Sequence, residues 1–361
     1  MIASMFSGIS ALFSRMRAWL VNLFALYRPS TWKQKGWPWT LGLIAVTLVI
    51  IIAILGWYWN EEPATFDVQQ IARDRLGDKS KPLITGYTFT STLMKIAEEL
   101  LEKRGGYLSN DVMPPGVWMD NIPNWEFGAL VILRDGSAAL RNHISRSQSQ
   151  SIEDPDLARA EPQFNFQNDS WILPATESEY ADGFDSLGRY LTRLADQNAA
   201  NAQFFARADN LRQFLEIVEK RLGSLSQRLS ASVGQLRINT DLAGDSAASQ
   251  ATVTADSVVV KTPWLQLDDV FYEARGATWA LLHILSAVEH DFAPILRKKN
   301  ALVSLRQIVR ELQETQQSTL SPVILNGKGF GLFANYSLVM ANYVARANAA
   351  VIDLRNLLEQ G

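Results

Sequence analysis

Apolar residues dominate one uninterrupted stretch near the start of the chain. From Trp37 to Trp59 it reads WPWTLGLIAVTLVIIIAILGWYW, 23 residues without a charged side chain. A helix of that length covers roughly 35 Å, enough to cross a hydrocarbon core of about 30 Å with some tilt. Trp37 and Trp39 stand at one end and Trp57, Tyr58 and Trp59 at the other, where amphipathic rings favour the two headgroup zones. The pattern predicts a transmembrane helix over 37–59. It is expected to be retained, because the run outlasts the apolar part of a signal peptide and 56–63 offers no small-x-small cleavage pattern. Upstream, Met5, Ile9, Leu12, Met16, Trp19, Leu20 and Leu23 recur at helical spacing, which predicts an amphipathic helix on the inner membrane surface. A second span is disfavoured by Arg15 and Arg17 near its centre.

Past the span, 60–86 is polar, holds Pro63 and Pro82, and reads as a linker with room for one short helix. The spacing of Phe89, Leu93, Ile96, Leu100 and Leu101 predicts an amphipathic helix over 88–104, ended by Gly105 and Gly106. A loop over 107–123 leads to a helix over about 124–145 carrying Trp125, Leu130, Leu133 and Leu140. The stretch 145–174 is polar and broken and reads as irregular, with local contacts from Phe164, Phe166 and Trp171. Thr176 and Glu179 form a capping-box pattern that opens a long proline-free segment. Within it Leu211, Leu215, Val218, Leu222, Leu225, Leu229, Val233 and Leu236 alternate by three and four, the mark of a coiled-coil seam. The register continues weakly upstream through Leu187, Leu191, Leu194, Asn198, Asn201 and Phe205, so either one long helix or a hairpin bending near Asp209 satisfies it.

A small and polar stretch over 239–257 reads as a second linker, followed by a short extended piece at 257–261. Thr262 and Pro263 predict a helix start, and Phe271, Ala274, Thr278, Leu281, Leu285, Val288 and Phe292 its buried stripe. A stop near Asp291 and a restart at Pro294 imply an antiparallel pair. The final helix, about 332–358, is expected to pack on that pair. The predicted fold class is all-α: a single N-terminal transmembrane helix over 37–59 and an α-helical body over 87–361 with one long coiled-coil-like helix.

Charge sets the orientation. Residues 1–36 carry Arg15, Arg17, Arg28, Lys33 and Lys35 and no acid, while Glu61, Glu62 and Asp67 follow the span. The positive end is expected in the cytoplasm and the body outside it. Removing those five bases from 34 leaves 29 against 37 acidic residues, a net charge of −8 that argues against nucleic acid as a partner. With no cysteine, disulfides, thiol chemistry and cysteine-ligated metals are excluded.

Candidate chemistry is sparse. His283 and His290 are about 10 Å apart along one helix, too far to share a metal unaided, and His143 lies elsewhere. No G-x-S-x-G, H-E-x-x-H or Walker pattern occurs after the span, and NGKGFG at 326–331 lacks the spacing of a phosphate loop. Glu273 and Arg275 interrupt an apolar helix and need partners, for which Asn342, Arg346 and Asp353 of the last helix are candidates; the five would form a buried polar clamp. No catalytic residue, cofactor or metal is expected.

The basic N-terminus, the apolar span ending GWYW, and the segments FYEARGATWALLH, LRKKNAL, ILNGKGFG and NYVARANAAVIDLRNLL together resemble an uncharacterised proteobacterial family of domain-of-unknown-function proteins. The resemblance covers nearly the whole chain. It implies an inner-membrane protein with a periplasmic body and supplies no catalytic residue. The functional expectation is a non-enzymatic, membrane-tethered envelope scaffold or adaptor. It would bind an envelope protein or a second copy of itself through the seam Leu211, Leu215, Val218, Leu222, Leu225 and Leu229. The alternatives are a ligand-sensing bundle working with a cytoplasmic partner, and an envelope enzyme using carboxylates such as Glu273 and Asp353.

Overall fold

A computed structural model of the chain describes residues 17, 18, 21, 22, 24–77, 82–147, 152–196, 201–238, 257–319, 321, 323–328 and 332–360. It divides into two compact units, Met1–Tyr58 and Trp59–Gly361.

In the first unit, helix α1 (Pro29–Lys35) stops at Gly36, whose φ of +82° suits a residue without Cβ, and α2 (Trp37–Trp59) follows. None of the residues of α2 is buried, which sets it apart from a core helix. The Tyr27 hydroxyl meets Thr47 Oγ1 at 2.6 Å, so the described part of the N-terminal segment runs beside α2. The amphipathic stripe Met5 to Leu23 lies outside the described residues.

Among its described residues the second unit is all-α apart from one two-stranded ribbon. Its helices are α3 (Val68–Leu76), α4 (Tyr87–Glu102), α5 (Asn121–Ala139), α6 (Leu157–Phe164), α7 (Thr176–Ala195), α8 (Ala208–Ser230), α9 (Leu267–Asp291), α10 (Ala293–Lys298), α11 (Leu302–Glu314) and α12 (Tyr336–Glu359). Strands β1 (Gln235–Ile238) and β2 (Ser257–Val260) pair antiparallel, with Gln235 opposite Val260 and Ile238 opposite Ser257.

The sequence of α9 is apolar on almost every side, and such a helix must be covered on every side. It is therefore the axis of the body, with α5, α4 and α11 packed around it and α8 with α12 beyond. The α5 contact is the closest. A Cβ on Gly276 would lie 1.9 Å from the Trp125 carbonyl oxygen, and one on Gly128 would lie 2.0 Å from that of Glu273, so two backbones meet where both side chains are hydrogen. The helices run parallel from this crossing: Asn124 bonds Asp269 near their starts, and Gly136 meets Ile284 further along. We call the end holding the starts of α5 and α9 the base. The ends of α4, α8 and α11 and the starts of α7 and α12 also lie there. Contacts fixing this are Lys103 with Glu126, Arg228 with Glu273, Thr315 with Thr278, Asn110 with Glu177, and Asn326 with Ser232.

Several expectations hold. The antiparallel α9–α11 pair forms, with Arg306 on Glu289 at one end and Thr315 on Thr278 at the other, and α12 packs on α11. Others are overturned. The segment 177–236 is neither one long helix nor a hairpin: α7 ends at Ala195, residues 201–207 are non-helical, and α8 packs on α12 instead of α7. The break has a physical cause. Phe204 plugs the core at the end opposite the base, 5.9 Å from the Phe89 ring and 5.6 Å from that of Phe292, while the Phe205 amide bonds the Ile144 carbonyl. Leu236 belongs to β1. The capping box at Thr176 is not made. Ala175 holds the cap position, and the Thr176 hydroxyl is buried between Gln167 and Ser170. Helix α9 begins at Leu267, after a 3-10 turn at Trp264–Gln266. The stretch 145–174 contains α6, with Leu157, Ala160 and Phe164 buried. The linker expected over 239–257 lies outside the described residues except for Ser257 itself.

Gly276→Ala should lower unfolding stability by about 3 kcal/mol, because a backbone has to move to admit the methyl. Gly223→Ala, whose Cβ would meet only Asn348 at 3.6 Å, should be neutral or stabilising. Urea unfolding of both variants checks the contrast.

Candidate functional site

The segment after α2 is a strap laid on α9. Glu62 accepts from Arg275 Nε at 2.8 Å and Nη2 at 2.6 Å, the Ala64 carbonyl accepts from Trp279 Nε1 at 3.3 Å, and the Phe66 amide donates to His283 Nε2 at 3.0 Å. The match is geometric. Two residues of extended chain advance about 6.6 Å and four residues of helix about 6.0 Å, so residues 62, 64 and 66 keep step with 275, 279 and 283. Phe66 also stacks on the His283 ring at 3.8 Å, and Val68 and Ala72 of α3 continue the cover. The expected linker over 60–86 is thus, in its described first half, packed structure. Its Glu61, Glu62 and Pro63 have a linker's composition; the partner of Glu62 lies more than 200 residues away in sequence.

This placement dissolves the polar clamp. Arg275, 7% exposed, is neutralised by Glu62, and its Nη1 donates to the Thr315 and Gln317 carbonyls. Glu273 is held by Arg228, and Arg346 by Glu311. Asn342 and Asp353 are exposed on α12. Of the three charges Arg275 is buried, Glu273 half-buried and Arg346 exposed, and each has a partner that periodicity could not name. Glu273 and Asp353 are not brought together as paired acids: Arg228 holds Glu273, and Asp353 is exposed on α12.

The seam is also spent inside the molecule. Leu211, Leu215, Val218, Leu222, Leu225 and Leu229 are all buried, and α8 packs them along α12 and against α5 and α9. A stripe covered in this way is unavailable to another protein.

Three features remain open. Beside Arg275 a cleft of about 310 Å³ is lined by Phe271, Thr315, Tyr336, Val339, Met340 and Tyr343. The ribbon exposes Leu236, Ile238, Val258, Val259 and Val260. The base loops expose Met113, Trp118, Trp171, Trp264, Leu332 and Phe333. Of the residues expected to make local contacts in the stretch 145–174, Phe164 is buried and Trp171 is exposed. These loops are held firmly. Glu126, fully buried, pairs with Lys103 and accepts the Leu108 and Ser109 amides at 2.9 Å each, and Tyr107 and Asn110 donate to the Asn168 and Ser170 carbonyls of the neighbouring loop. NGKGFG, where described, is a connector: Asn326 bridges Asn335, whose side chain caps α12. Among the described residues no group of three His, Asp or Glu is placed to hold a metal.

Residues 32–361 match the family model DUF2333, described as an uncharacterized protein conserved in bacteria. The chain belongs to DUF2333. Nothing matches among curated proteins or among solved structures. The DUF2333 match starts within α1 and takes in α2, the strap and every element of the base. The sequence reading missed the strap and the base loops. The available signal was tryptophan placement: Trp118, Trp171 and Trp264 each sit within five residues of a helix start, outside any apolar stripe.

His283 gives the strap a pH dependence. Its Nδ1–H donates to the Trp279 carbonyl at 2.7 Å, so Nε2 is the unprotonated acceptor of the Phe66 amide, and burial pushes its pKa down to about 4. The unfolded chain, with a pKa of about 6.5, binds the proton more readily. Stability from this site is complete above about pH 6.5 and lost as pH falls toward 4. His290 shifts upward on Asp291 and acts in the opposite sense, so a variant difference is required. Thermal unfolding from pH 7.5 to 4 should show the native chain losing roughly 3 kcal/mol relative to His283→Gln. Separately, Glu126→Ala should cost about 3–5 kcal/mol by stranding the Lys103 charge, and Glu126→Gln less, as read by urea unfolding.

Proposed function

We propose that this DUF2333 protein is a non-enzymatic, single-pass membrane adaptor of the bacterial envelope. Its N-terminus lies in the cytoplasm and its helical body in the periplasm. The tether rests on α2, whose 23 uncharged residues have none buried and whose interface rings include Trp37, Trp39, Trp57, Tyr58 and Trp59. Orientation follows from Arg28, Lys33 and Lys35 before the span and Glu61, Glu62 and Asp67 after it. The strap begins at once after α2, which suits a body carried close to the bilayer.

The adaptor role is supported by the ribbon, which replaces the seam as the surface for an envelope protein partner. A two-stranded ribbon is marginal alone, β2 is exposed along its whole length, and among the described residues no third strand pairs with either edge, which leaves room for an added strand. A ligand-sensing role is the second reading. The cleft beside Arg275 favours it, and a small molecule filling that cleft would raise stability in proportion to its occupancy.

A photocrosslinking residue at Val259 in the full chain, irradiated in intact cells, should give a protein adduct that one at buried Leu222 does not. Lipid adducts alone, or equal yields at the two positions, would remove the adaptor reading.

A further inference from the structure

The large exposed apolar side chains of the body are not scattered. Among the described residues all but Ile152 and Val303 lie at the base or on the ribbon that leaves it. They come from four separate connections. Met113 and Trp118 precede α5, Trp171 precedes α7, Trp264 and Leu265 precede α9, and Leu332 and Phe333 precede α12. Four loops remote in sequence thus deliver aromatic and aliphatic residues to one end of a bundle. Ile152 and Val303, near the opposite end, are isolated, and isolated apolar residues are ordinary on any surface.

The same end receives the chain from α2. Trp59, the last residue of α2, lies against the end of α4, where a Cβ on Gly105 would come within 2.8 Å of its ring. Glu61 pairs with Arg104 and Glu62 with Arg275. Three residues of extended chain reach at most about 11 Å, so Glu62 lies within that distance of Trp59. Trp59 belongs to the ring set that favours the headgroup zone.

We propose that the base rim formed by Met113, Trp118, Trp171, Trp264, Leu265 and Leu332 seats in the interfacial zone of the bilayer, making the body a membrane-docked platform instead of a freely swinging head. The proposal rests on the single-pass reading above. Lipid is the occupant that fits. The rim is rich in tryptophan, which partitions to the boundary between headgroup and hydrocarbon, and the chain enters this unit at Trp59, directly after the apolar run. Asp111, Asp120, Asp268 and Asp269 lie among the rim residues, so the attraction is apolar and not one for anionic headgroups. The Lys103–Glu126 pair holds the loop before α5 in place before contact, and Asn110 ties it to the loop before α7, which lowers the ordering cost of insertion there.

The absence of cysteine makes the test direct. Single-cysteine full-length chains, Met113→Cys, Leu265→Cys and Leu332→Cys at the rim, Ile152→Cys and Val303→Cys opposite, and Leu48→Cys in α2, are labelled with an environment-sensitive fluorophore. They are then reconstituted in lipid nanodiscs with spin-labelled lipid. Rim labels should shift to the blue and lose most of their emission to the quencher, while Ile152 and Val303 labels stay bright. Rim labels as bright as those at Ile152 and Val303, with Leu48 quenched, would overturn docking and leave the anchor intact. An unquenched Leu48 label would instead sink the single-pass reading and docking with it. Blue-shifted but unquenched rim labels on a dimeric chain would assign the rim to a second copy and refute the lipid occupant.

Discussion

Everything in the body is arranged around one constraint: helix α9 is apolar nearly all the way round yet carries a guanidinium on the side that faces the strap. An exposed α9 would leave Trp279, Leu281, Ile284 and Leu285 in water, and a covered α9 without Glu62 would leave Arg275 charged and unpaired in the interior. The strap meets both demands at once. Its backbone serves Trp279 and His283, its carboxylate serves Arg275, and Phe66 closes the apolar side. Helices alone could not do this, because the crossing of α5 at Gly128 and Gly276 is already as close as two backbones allow.

That arrangement links fold to placement. Because Glu62 is fixed to Arg275 near the start of α9, the chain joins the body at its base, and the loops that start α5, α7, α9 and α12 gather around that point. Buried polar groups then decide how the loops are held. Glu126 gathers the Leu108 and Ser109 amides and the Lys103 ammonium below one loop, and Asn110 ties that loop to the next through Ser170 and Glu177. Apolar residues on these loops are presented on a rigid frame, which separates them from the incidental exposure of Ile152.

Much of this was legible in the sequence wherever a period of 3.6 residues governs. The apolar run of α2, the stripe Phe271 to Phe292 of α9 and the seam of α8 are all helices in the structure. Periodicity identifies the side that must be covered and is silent about what covers it. So the seam Leu211 to Leu229 was read as a surface for another protein although α12 of the same chain lies on it. Asn201, a polar residue at a seam position, is the trace of the break before α8. The polar residues Glu273 and Arg275 were rightly singled out as needing partners, and both found one, but from α8 and from the strap. The strap itself was illegible because extended chain has no helical period and its contacts cross more than 200 positions. The base rim was illegible for a related reason, since its members become neighbours only once four helix starts share one end.

The register of the strap has a mechanical corollary. Glu62 with Arg275, Ala64 with Trp279 and Phe66 with His283 lie in a row parallel to the axis of α9. Tension drawn through the polypeptide from its N-terminal side loads these three contacts in shear, all together, instead of peeling them apart singly. A body fastened in this manner resists a pull on the chain entering at Trp59 through all three contacts before any one of them gives way.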